Sequence, residues 1–128
     1  MAVQLYAHLT WTTVDRRPMI GVREQQFLRD FLPAASREFG TEVIAVGIVS
    51  DHIHMIIGMP SEFSIPKLVQ RLKGASARLA NRNDEISLTG LRWARGYDLR
   101  SVSPRNLREA VRYVQDQASR HPDRAIAG

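Results

Sequence analysis

The chain has 128 residues, 44% of them hydrophobic, which suits one compact domain with its own core over residues 1–128 and is too little for two. It carries 18 Lys and Arg against 13 Asp and Glu, a net charge of +5 that favours a polyanionic partner. Cysteine is absent and no apolar run approaches the roughly 18 residues of a membrane-spanning helix, so disulfides, thiolate chemistry and a helical membrane span are excluded.

The opening "MAVQLYAHLTWTTVDRRP" lacks the features of a secretory leader, and a soluble, cytoplasmic chain is expected. Within it, "VQLYAHLTWTT" is rich in β-branched and aromatic residues and predicts a strand closed by the turn "DRRP". From Val22 to Phe39 the apolar residues Phe27, Leu28, Phe31, Leu32, Ala35 and Phe39 recur at helical spacing, with Pro33 expected to kink or split the helix. "TEVIAVGIVS" and "HIHMIIGM" follow as two antiparallel strands with a tight turn near Ser50 and Asp51. A second helix opens at Ser64, has Pro66 in its first turn and puts Leu68, Leu72, Ala75 and Leu79 on one face. "NRNDEISLTG" and the tail "RHPDRAIAG" are the stretches expected to be mobile. "LRWARGYDLRSV" predicts the last strand, and Ser103 with Pro104 starts a third helix striped by Leu107, Val111, Val114 and Ala118. The order β-α-β-β-α-β-α suits an α+β fold, an antiparallel sheet carrying helices in a ferredoxin-like or split βαβ arrangement.

On a strand, residues two apart share a face, so His52 and His54 project together while Ile53, Met55 and Ile57 point the other way. Two neutral imidazoles can hold a divalent ion if a third donor arrives, although such a pair is equally read as an edge-of-core pair with no ligand. Tyr113 and Gln117 lie one helical turn apart, flanking the apolar stripe of the third helix. The amide oxygen of Gln117 suits Mg²⁺ or Mn²⁺ and the phenol of Tyr113 is a nucleophile, while the plain reading makes both half-solvated helix residues. Asp51 could orient an imidazole, but reads first as the turn residue before its strand.

Lys67, Arg71 and Arg78 fall within about 40° of one another on the second helix, a basic ridge that is either a phosphate contact or a solvated face. Lys73, Arg16, Arg17 and Arg95 add to the candidate nucleic-acid contacts, with further cations at Arg92 and Arg100. Trp93 and Tyr97 could stack on unpaired bases or sit in strand core.

Taken in order, "HLTWTTVDRRP", "SDHIHMII", "IPKLVQRLKGASARL", "WARGYDLRSVSP" and "YVQDQ" resemble the single-tyrosine HUH transposases. These are the transposases of small bacterial insertion sequences and their domesticated relatives associated with repetitive extragenic palindromes. The resemblance runs from about Tyr6 to His121. It implies His52 and His54 as metal ligands, Gln117 as the polar third ligand of Mg²⁺ or Mn²⁺, and Tyr113 as the nucleophile. It further implies a partner in hairpin-bearing single-stranded DNA, a covalent 5′-phosphotyrosine, no nucleotide cofactor, and in insertion-sequence members a homodimer with the tyrosine supplied in trans. The short chain beyond the tyrosine helix leans toward the insertion-sequence kind. Two rival expectations are a non-catalytic single-stranded nucleic-acid binding module, with no use for His52, His54 and Tyr113 together, and a metal-dependent hydrolase using water as nucleophile.

Overall fold

The structure, a computed structural model, describes residues 5–60, 62–117 and 126. Four strands, β1 (Leu5–Thr12), β2 (Glu42–Ile48), β3 (His52–Met59) and β4 (Asp98–Val102), form one antiparallel sheet in the order β2-β3-β1-β4. Three helices, α1 (Val22–Arg37), α2 (Ile65–Asn81) and α3 (Leu107–Gln115), complete the predicted order. Among the described residues, no helix is long and apolar enough to cross a membrane.

Alternation on β1 and β3 divides the molecule into two layers. Ala7, Leu9 and Trp11 from β1 and Ile53, Met55 and Ile57 from β3 join Leu28 and Leu32 of α1 and Leu68 and Leu72 of α2 in the main core. Those strand residues are 0–2% exposed, so α1 and α2 seal this face. The opposite face carries a smaller cluster in which Val114 of α3 packs on Ala45 and Ile56. Both faces of β3 are therefore covered, and all eight of its residues are buried.

Several local expectations change. Pro33 does not split α1, which runs through it: proline removes one intrahelical bond, while buried Leu28, Leu32, Ala35 and Ser36 on either side hold the helix to the core. Ser64 caps α2 as expected, its hydroxyl accepting from Lys67 N at 3.4 Å, but Leu79 is 41% exposed rather than packed. The last strand is shorter than predicted. Leu91 is fully buried, Trp93 makes an isolated bridge to Thr13, and the ammonium of Lys73 takes the carbonyls of Ala94 (2.5 Å) and Gly96 (3.0 Å), which removes acceptors a longer ladder would need. The stretch expected to be mobile after α2 is closed at its base by Asn81, whose amide bonds both backbone groups of Leu91. A 3-10 turn over Pro104–Asn106, capped by Ser103, leads into α3; Ala118 and the tail from Arg120 to Ala125 lie outside the described residues.

Candidate active site

The α3 face of the sheet gathers polar side chains from three separate segments. Register places Thr12 opposite His52, Thr10 opposite His54 and His8 opposite Ile56, so the polar parity of β1 lies beside the histidine parity of β3. The row continues outward, because Asp98 of β4 pairs with Thr10 and Arg100 with His8. On the other side of β3, Gly47 pairs with His54. A methyl group at Gly47 would overlap the carbonyl of Val114, so the missing side chain lets α3 lie directly on the sheet. That approach brings Tyr113 beside His54 and His8.

Each histidine is held through Nδ1. Asp51 Oδ1 lies 2.6 Å from His52 Nδ1, and because a carboxylate oxygen accepts, Nδ1 is read as the donor and the bond fixes the orientation of the ring. The turn that presents Asp51 is pinned in turn: the carbonyl of Asp51 accepts from Thr13 N (2.9 Å) and Thr13 Oγ1 (3.1 Å), and Ser50 O accepts from Ile20 N. Asp51 is thus both the turn residue and a partner of His52, where the sequence favoured the first role alone. His54 Nδ1 lies 2.8 Å from His8 Nε2 and 3.1 Å from Thr10 Oγ1. The His52 and His54 rings meet edge to face at 4.7 Å between centroids, and Tyr113 stands edge-on to His54 at 6.1 Å and to His8 at 6.0 Å.

Burial separates the members. His52 and Asp51 are each 5% exposed and Gln117 only 1%, whereas Tyr113 is 38% exposed at the mouth of the site. Gln117 was expected to flank the core and is instead inside it, since α3 lies so close over β2 and β3. Its Nε2 donates to the carbonyl of Tyr113 at 3.0 Å, and its Oε1 is buried with no hydrogen-bond partner among the described residues. A buried amide oxygen in that state costs about 1–3 kcal/mol unless something positive meets it. Among the described residues no group of three or more His, Cys, Asp or Glu side chains is arranged to hold a metal. Two imidazole nitrogens and one amide oxygen suit a divalent ion such as Mn²⁺ or Mg²⁺.

Outside the histidines lies an open cleft of about 520 Å³ lined by His8, Thr10, Arg16, His54, Asp98, Arg100 and Tyr113. Arg16 reaches it from a 3-10 turn in which Asp15 (φ 52°) and Arg16 (φ 51°) are both left-handed, a conformation that costs residues with a side chain about 1–2 kcal/mol each. Burial pushes the His8 imidazole below its ordinary pKa and Arg100 pushes the same way, against the opposing pull of Asp98.

The other predicted cations lie elsewhere. Arg17 and Arg95 are exposed and do not line the cleft. Lys67, Arg71 and Arg78 are exposed on α2, which covers the opposite face of the sheet, and Arg71 is 3.7 Å from Glu38. Lys73 spends its ammonium on Ala94 and Gly96, and Trp93 donates to Ser76 Oγ at 2.9 Å and packs edge-on to Trp11. His8, Thr10 and Asp98 were not predicted as site residues, and Arg100 was named only as a further cation. The alternation of β1 already puts His8 and Thr10 on its polar side, but only the pairing with β3 reveals what they meet.

The family model for "Transposase IS200 like" matches residues 1–117. The ISDra2 transposase TnpA of Deinococcus radiodurans is 29% identical over 118 residues, covering 89% of this chain and 84% of that protein. Two solved structures share the fold. One, from Deinococcus radiodurans R1 and described as a transposase, has a TM-score of 0.68 at 24% identity and covers 99% of this chain and 95% of its own. The other, a REP-associated tyrosine transposase bound to a REP hairpin, has a TM-score of 0.73 at 15% identity and covers 94% of this chain and 71% of its own.

Proposed function

The chain belongs to the IS200-like transposase family, and from that premise we propose that it cuts and rejoins hairpin-bearing single-stranded DNA with Tyr113 as nucleophile. The observation that supports this most is the meeting of a half-exposed tyrosine of α3 with the buried His52–His54 pair of β3, Tyr113 and His54 lining one open cleft. A non-catalytic binding module would have no use for a half-exposed tyrosine standing against a buried histidine pair. The hairpin is carried over as a proposal from the related transposase bound to one.

His52, His54 and Gln117 would hold the ion. A bound Mg²⁺ or Mn²⁺ supplies neutralisation of the charge that builds on the non-bridging oxygens of the scissile phosphate. The rest is done by the protein's own groups. Asp51 holds the His52 ring by its Nδ1–H, fixing which nitrogen faces the ligand position. Tyr113 attacks phosphorus through its phenolic oxygen: an O–P bond to the tyrosine forms, the bond to the 3′-oxygen breaks, and the departing 3′-oxygen takes a proton to become a hydroxyl. One phosphodiester is exchanged for another, so reversal by a different 3′-hydroxyl rejoins strands without a nucleotide cofactor. Arg16 and Arg100, on two sides of the cleft, would neutralise flanking phosphates.

The test is incubation of the protein with hairpin-bearing single strands and Mn²⁺ or Mg²⁺, followed by a denaturing gel. A covalent protein–DNA adduct that disappears with EDTA and with His54→Ala, while hairpin binding persists, is the expected result. Cleavage that leaves no adduct would assign water as the nucleophile instead.

A further inference from the structure

Resting on the reading of His54 as a metal ligand, we propose that His8 is a positioning residue, which accepts a hydrogen bond from His54 Nδ1 and so fixes the tautomer that presents Nε2 for ligation. The two candidate ligands are treated alike by the fold. His52 Nδ1 meets Asp51 Oδ1 at 2.6 Å and His54 Nδ1 meets His8 Nε2 at 2.8 Å, so each ring is engaged through the same nitrogen. A metal-binding imidazole needs its second N–H bonded to hold the ring and the tautomer, and losing that partner weakens metal binding.

Thr10 lies 3.1 Å from the same Nδ1, but a hydroxyl rotates and serves either tautomer equally, so it cannot choose between them. His8 is more constrained. Its ring packs against those of His54 (centroids 5.0 Å apart) and Tyr113 (6.0 Å), its Nε2 lies 2.8 Å from His54 Nδ1, and it lines two open clefts. The kind of acceptor matters as well. A carboxylate here would set a negative charge between the tyrosine and an incoming phosphate, whereas a neutral imidazole orients His54 without repelling the DNA.

The test measures Mn²⁺ affinity of the full chain by titration calorimetry, without DNA, for the wild type, His8→Leu, His8→Gln and His54→Ala, with thermal melting of each. Glutamine can place an accepting oxygen close to the position of Nε2 and leucine cannot. The expected result is a loss of about 10–100-fold for His8→Leu, substantial rescue in His8→Gln, and similar melting of the two variants. Wild-type affinity in His8→Leu, beside a large loss in His54→Ala, would overturn the role of His8 and leave the proposed function standing. An equal loss in the leucine and glutamine variants would overturn it too, reducing His8 to packing. A wild type that binds no Mn²⁺, or a His54→Ala variant that binds it unchanged, would remove the metal site and this inference together.

Discussion

The two faces of the sheet are built from the same strands to opposite ends. Odd-numbered residues of β1 and β3 enter a core closed by two long helices, while His8, Thr10, His52 and His54 on the other face make a polar floor beside the Ile56–Val114 cluster, where one short helix packs. Because β3 serves both, a slip of one residue in its register would bury the histidines under α1 and α2 and turn Ile53 and Met55 to the cleft. The large face fixes the register, and the small face inherits the consequence. Stability and chemistry are thereby separated: α3 adds only Val114 to the fully buried core, yet it carries Tyr113, with Gln117 just past its end. A protein arranged in this way can lose its site without losing its fold.

The largest effect on cleavage is expected from Tyr113→Phe, which removes one oxygen from a half-exposed ring. Adduct formation should fall by about 10⁴-fold or more with melting and hairpin binding unchanged, read by denaturing gel and by mass spectrometry of the wild-type adduct on the peptide containing "YVQDQ". Label on Tyr6 or Tyr97 instead would assign the wrong tyrosine. Next is Gly47→Ala, whose methyl meets the backbone of Val114 and must push α3 off the sheet. Displacement by about 1 Å should lower the cleavage rate by roughly 100-fold, while stability falls by about 1–3 kcal/mol; denaturant melts and single-turnover cleavage on the same sample separate the two. If the rate does not change, α3 is not set by contact at Gly47.

Leu72→Ala puts the disturbance on the sealed face. It should cost about 2–5 kcal/mol of stability by leaving a cavity, with the single-turnover rate of the molecules that remain folded unchanged. A rate that falls with stability would mean the faces are coupled. The smallest effect on chemistry is expected from replacing Lys67 and Arg71 together by alanine. If the ridge on α2 holds phosphates of the hairpin, the slope of log affinity against log salt should flatten by roughly one per lost contact, with the cleavage rate of bound DNA intact. An unchanged slope would make the ridge a solvated face, and the same comparison for Arg16→Ala, inside the cleft, tells which face the DNA occupies.

Much of this was legible in local sequence because it depends on period and on caps. The parity that sends His52 and His54 one way and Ile53, Met55 and Ile57 the other is a property of any strand, and the four-residue spacing of Tyr113 and Gln117 is a property of any helix. Ser64 and Ser103 announced their helix starts for the same reason. The motifs in chain order were sufficient for the resemblance to the transposase family, which the family match over residues 1–117 bears out. What local sequence could not supply was adjacency. That His8, 46 residues before His54, ends beside it depends on β1 being the neighbour of β3, a choice made by the whole core. That Gln117 is buried rather than flanking depends on how closely α3 approaches, which a missing side chain at Gly47 decides. The same limit misled the reading of charge: Lys73 and Arg71 share a helix, but one is turned inward onto two carbonyls and the other outward to solvent, because burial of a helix face is set by what packs against it. Periodicity is written residue by residue, whereas contact between distant segments exists only once the chain has closed on itself.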